Sequence, residues 1–201
     1  MKRFLLGGLL LAILAGCNGT QTDSPEKSQP LSEAAKKYRP VFLVTEQPAG
    51  AITVVEAMGK LAPPAEGEAA APETPAAEPT LMVVEGQIGG MPNPFGEDAG
   101  AEFPWYAEMA AFSLVDPATA VEFEGHEHAE GEECLWCTRT AQKMVDTVAT
   151  VELNDESGEI IAEQADTLLG LEEGTTVVVE GTARMELGRL KIVADHIYVK
   201  L

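Results

Sequence analysis

Residues 165–199 read ADTLLGLEEGTTVVVEGTARMELGRLKIVADHIYV, and their pattern decides the fold. Ala165 to Leu171 has the spacing of one or two helical turns. Thr175 to Met185 is a β-branched strand, and Gly181 inside it marks a bulge or tight bend. Leu187-Gly188 is a turn, and Leu190 to Val199 is the next strand. Upstream, Val148 to Asn154 (VATVELN) sets Ala149, Val151 and Leu153 on one face, and Glu159 to Ala162 extends it beyond the turn at Ser157-Gly158. Tyr106 to Asp116 and Leu81 to Ile88 are two further strands, the latter ended by Gly89-Gly90. Five strands with a short helix between the third and fourth predict a mainly β chain. The expected architecture is a five-stranded, OB-fold-like Greek-key barrel. A β-sandwich wants more strands. The set expected to fill the barrel is Val83, Ile88, Phe112, Leu114, Val151, Leu153, Val177, Val179, Ile192 and Ile197.

The chain before residue 80 has a different character. Leu61 to Pro79 holds 7 Ala, 5 Pro and 4 Glu in 19 positions, which predicts an acidic, disordered linker. Between residues 32 and 60, Ser32 to Lys37 can start a helix that Pro40 interrupts. Pro48 to Lys60 predicts a short helix packed on the main domain, with Pro48 in its first turn and Gly59 at its C-terminal cap. Residues 17–31 are small, polar and proline-punctuated, as in a flexible tether. The main domain is expected over residues 80–201.

The first residues are MKRFLLGGLLLAILAGC. Lys2 and Arg3 precede an apolar run too short for a comfortable membrane span. Leu14-Ala15-Gly16-Cys17 resembles the lipobox of bacterial lipoproteins. The resemblance implies that residues 1–16 are a signal peptide and that Cys17 carries the lipid. The alternative is an ordinary secretory signal with a cysteine by coincidence. On the lipoprotein reading, losing Lys2 and Arg3 takes the formal charge from −20 to −22. It also places the protein in the cell envelope, where disulfides persist. Asn18 after the cysteine points to the outer membrane, facing the periplasm. Residues 80–201 look like uncharacterised OB-fold domains of secreted bacterial lipoproteins. The segments that carry this likeness are VVEGQIGG (Val83 to Gly90), AAFSLVDP (Ala110 to Pro117), LLGLEEGTTVVVEGTA (Leu168 to Ala183) and RLKIVADHIYV (Arg189 to Val199). These segments are structural. At the level of fold alone, periplasmic copper and silver chaperones show that such a barrel can handle metal.

With 13 Lys+Arg against 33 Asp+Glu, the chain lacks the basic footprint that a nucleic-acid partner requires. Excess negative charge attracts cations instead. One stretch gathers ligands for one: GHEHAEGEECLWCT, Gly125 to Thr138, between the second and third strands. His126, His128, Cys134 and Cys137 form a Cys₂His₂ set suited to Zn²⁺, or to Cu⁺ by softness. Glu124, Glu127, Glu130, Glu132 and Glu133 surround it and raise the thiol pKa values until metal binds. Three readings stand. They are a bound metal ion, a Cys134–Cys137 disulfide stapling the loop, and acidic-loop histidines without a ligand. A helix from Thr138 to Asp146 is expected next; a start nearer Cys134 would set both sulfurs close to its N-terminus.

Trp105 and Trp136 can lie beside that site, though packing on the barrel accounts for an exposed tryptophan. Met91 and Met109 suit core or loop filling, and His196 a partly exposed strand position. Asn93 to Gly96 and Asp116-Pro117 read as turns. No Ser-His-Asp set, phosphate-binding glycine loop or spaced acid pair is present. The sequence therefore points to a binding protein rather than an enzyme. Its partners would be the membrane through the lipid, a metal ion, and an envelope protein or glycan on the barrel face.

Overall fold

The computed structural model describes residues 30–62, 78–95, 103–124 and 135–200. The expected signal peptide, Cys17 and nearly all of the expected tether and linker lie outside them.

Threonine and valine at 176–179 favour extended backbone, and this run opens the longest hairpin among the described residues. In chain order the elements are α1 (Glu33–Phe42), β1 (Leu43–Val44), β2 (Ile52–Thr53), α2 (Val54–Leu61), β3 (Thr80–Ile88) and β4 (Ala111–Val115). They continue with α3 (Pro117–Phe123), α4 (Leu135–Lys143), β5 (Val148–Glu152), α5 (Ala165–Leu169), β6 (Thr176–Glu186) and β7 (Arg189–Val199). β3 pairs antiparallel with β4 and β6, β4 with β5, and β6 with β7; β5 and β7 run parallel and close the barrel. The fold is thus a closed five-stranded, OB-fold-like Greek-key barrel, mainly β, with α5 between its third and fourth strands. The β6–β7 register shifts between Glu180 and Gly181, at the expected bulge.

The core follows the pleat. Ile88, Phe112, Leu114, Val151, Leu153, Val177, Val179, Ile192 and Ile197 are buried, as expected. Val83 is the exception. It is half-buried, and Val84, Gly86 and Ile88 form the inward row of β3. A slip of one residue reverses which side of a strand faces the core.

The N-terminal segment departs from the expected pattern in three places. Pro40 sits inside α1 without ending it. The proline falls near the helix C-terminus, and burial of Ala35 and Phe42 holds the helix against its local cost. The second helix begins at Val54 rather than near Pro48. Thr53 and Glu56 form a capping box there: Glu56 Oε2 accepts from the Thr53 N–H at 2.9 Å, and Thr53 Oγ1 from the Glu56 N–H at 3.3 Å. Gly59 lies within α2, and Ala62 is its C-cap.

Val54, Ala57 and Leu61 of α2 join Phe42 in the main apolar core. β1 adds to β7 in parallel through Leu43 opposite Ile197 and Val44 opposite Tyr198. β2 adds to β3 in parallel through Ile52 opposite Val84 and Thr53 opposite Glu85. Each short strand covers part of a long strand's edge that the barrel pairing leaves open. Arg39 of α1 ties down α5: its Nε donates to Leu168 O at 2.9 Å and its Nη2 to Thr167 O at 3.2 Å.

Candidate functional site

Residues 116–147, between β4 and β5, begin at Asp116. Its Oδ1 accepts from the Ala118 N–H at 3.0 Å, and Pro117 takes the first helical position, where no amide is needed. Asp116-Pro117 is therefore the start of α3 rather than an isolated turn. The Asp116 N–H donates to Thr147 O at 2.9 Å and joins the two ends of the insertion.

The insertion carries its own small core. Ala120 and Phe123 of α3 pack with Met91, Val115 and Val148, and with Cys137 and Ala141 of α4. Cys137 and Ala141 are four residues apart, on one helix face. Cys137 is 2 % exposed, and Phe95, Phe103 and Met144 pack around this cluster.

α4 starts at Leu135, three residues before the expected Thr138, and gives way to a 3₁₀ turn at Val145–Thr147. Cys137 thus stands in the first turn of α4. His126, His128 and Cys134 lie outside the described residues. Among the described residues no group of three or more His, Cys, Asp or Glu side chains is placed to hold a metal ion.

The lesser candidates fall mainly into structural places. Trp105 is half-buried, its ring 6.1 Å from that of Phe112. Trp136 is 58 % exposed on α4. Met91 is buried and Met109 exposed. His196 Nδ1 lies 3.1 Å from Glu180 Oε2 across the β6–β7 bulge.

A second feature escaped the sequence reading. A groove of about 350 Å³ runs over the outer face of β5 and β7, bounded by Tyr106 and the tip of the β6–β7 hairpin. Thr150 and Glu152 share one face of β5, and Lys191 sits opposite Thr150 in register. Lys191 Nζ lies 2.7 Å from Glu152 Oε1 and 3.6 Å from Glu186 Oε1. Arg184 Nη2 reaches the other Glu186 oxygen at 2.9 Å. The hydrogen bond from Arg184, aided by the Lys191 charge, holds the Glu186 carboxyl below the usual carboxylate range. Tyr106 Oη lies 3.2 Å from Thr150 Oγ1. The Arg189 guanidinium lies 4.2 Å from the centre of the Phe95 ring. The sequence signal for this groove was the polar half of the β5 alternation, the residues that do not enter the barrel.

Compared with protein-family models, with curated proteins and with solved structures, the chain finds no match.

Proposed function

We propose that the chain is a non-enzymatic binding module of the bacterial cell envelope. Cys17 anchors it by lipid to the outer membrane, facing the periplasm. A Zn²⁺ or Cu⁺ ion is held by His126, His128, Cys134 and Cys137 in the insertion between the second and third barrel strands. The observation that carries this reading is the position of Cys137, buried in the first turn of a helix whose first residue follows Cys134. Cys137 therefore lies in the first turn of a nine-residue helix, where the helix dipole favours thiolate. Apolar burial alone opposes a thiolate; coordination removes that penalty, because a metal-bound thiol is deprotonated outright.

The test is elemental analysis of protein purified without chelator and kept reduced. About one equivalent of zinc or copper is expected. It should be lost in Cys134→Ser and in the double variant His126→Ala/His128→Ala. Cys137→Ser is a poorer choice, because it also disturbs a packed cluster. Absence of metal, or metal that survives both variants, overturns the metal site. In a second preparation isolated without reductant, thiols that resist alkylation until a reductant is added, in metal-free protein, assign the cysteines to a disulfide in an envelope interaction module. Loss of membrane association in Cys17→Ser tests the anchor independently.

A further inference from the structure

We propose that the groove over β5 and β7 binds an uncharged oligosaccharide. The proposal rests on reading the barrel as an envelope-binding module, and it names the ligand.

The chemistry of the groove comes first. A pyranose ring presents an apolar C–H face and a rim of hydroxyls that both donate and accept. The groove supplies a counterpart to each. The half-buried Tyr106 ring offers a flat apolar surface. Glu152 and Glu186 accept, and Lys191 and Arg189 donate. Thr150 and Tyr106 carry hydroxyls that do both.

Order before binding comes second. Glu152 is only 9 % exposed and paired with Lys191, which also approaches Glu186. Tyr106 is hydrogen-bonded to Thr150, and Arg189 rests on Phe95. Side chains already held in place lose little entropy when a ligand arrives. The groove volume, about 350 Å³, falls within the range of small-ligand sites.

Charge decides between ligand classes. Two carboxylates face two cations here, in a chain whose formal charge is −20. A polyanion is repelled by that overall charge. An uncharged polyhydroxylated ligand uses the donors and acceptors together.

The experiment titrates the full-length mature protein in detergent with two probes, the β-1,4-linked N-acetylglucosamine tetramer and the α-1,4-linked glucose tetramer. Binding is read by calorimetry and by backbone amide shifts. At least one probe should bind saturably, with shifts centred on residues 150–152 and 189–191. Tyr106→Ala should weaken it about tenfold. Tyr106→Phe, which keeps the ring, should weaken it far less, and Glu186→Gln should weaken it while leaving the fold intact. The proposal fails if neither tetramer binds saturably, if Tyr106→Ala leaves affinity unchanged, or if a single-stranded oligonucleotide occupies the groove instead. Metal analysis of the same preparation separates the two proposals. Metal without saccharide overturns the groove alone, and saccharide without metal overturns the metal site alone.

Discussion

The carboxylate of Asp116, at the end of β4, reaches the N-terminal segment of the chain. Its Oδ2 accepts a hydrogen bond from the backbone N–H of Val55 at 3.1 Å. Val55 is the second residue of α2, and Oδ1 of the same carboxylate caps α3. One side chain, 4 % exposed, thus serves the N-termini of two helices from distant parts of the chain.

Asp116→Ala should therefore remove two caps at once. Each is worth about 1 kcal/mol, so a loss of roughly 2 kcal/mol is expected in urea unfolding. Asp116→Asn keeps one accepting oxygen and should lose about half as much. Equal stability of Asp116→Ala and the parent would show that neither cap contributes.

Glycine substitutions should separate close approach from open space. A Cβ at Gly181 would run into the carbonyl oxygen of Val193, and one at Gly86 would lie 2.8 Å from Val115 O. Both neighbours are backbone and cannot step aside cheaply. Gly181→Ala and Gly86→Ala should each lower stability by about 2 kcal/mol or more. A Cβ at Gly59, in the body of α2, meets nothing within 4 Å. Gly59→Ala should raise stability by about 0.5–1 kcal/mol. Thermal unfolding of the three variants should therefore show two decreases and one increase.

Arg39→Ala should loosen α5. It removes two hydrogen bonds to carbonyls at the helix end, at a cost of about 1–3 kcal/mol. Hydrogen exchange should speed up in residues 165–170 before it does in β6. Arg39→Lys should not restore the parent, because one ammonium cannot reproduce the planar fork.

The turn at Asn154–Glu159 should respond to acid. Asp155 Oδ1 accepts from the Ser157 hydroxyl at 2.6 Å, from the Ser157 N–H at 2.8 Å and from the Glu159 N–H at 3.2 Å. These bonds, led by the Ser157 hydroxyl, hold the carboxyl below the usual carboxylate range. A lowered folded-state value means that stabilisation is complete above the unfolded pKa, about 4. It is lost as pH falls through the folded-state value. Amide shifts of Ser157 and Glu159 should titrate together below pH of about 4. Ser157→Ala should move that titration upward.

Much of the barrel was legible because β3 and β7 alternate with period two and the turns carry glycine, although β4 is buried at all five positions. Val151 and Leu153 alternate with Thr150 and Glu152, and that alternation survives any detail of packing. The insertion was harder. Pro117 to Phe123 is too short for helical periodicity to show, and Asp116-Pro117 is both a turn signal and a helix start. Pro40 carries a local cost that only the burial of Phe42, two residues on, offsets, and that burial has no local signature. Burial of Cys137 depends on α4 meeting α3 and Met91, a contact between segments distant in sequence. The groove was invisible for a similar reason. Its walls come from residue 106, from β5 and from the β6–β7 hairpin, and none carries a motif alone.

β1 and β2 are only two residues each, yet they occupy stretches where β7 and β3 would otherwise offer unpaired amides and carbonyls. A fragment cut to begin at Thr80 would keep all five barrel strands and lose both covers. Such edges recruit strands from other molecules. The fragment should therefore self-associate at concentrations where the full chain stays dispersed. The segment ahead of the barrel thus both covers strand edges and, through Phe42, Val54, Ala57 and Leu61, completes the apolar core, and a shortened version of the protein has to keep it.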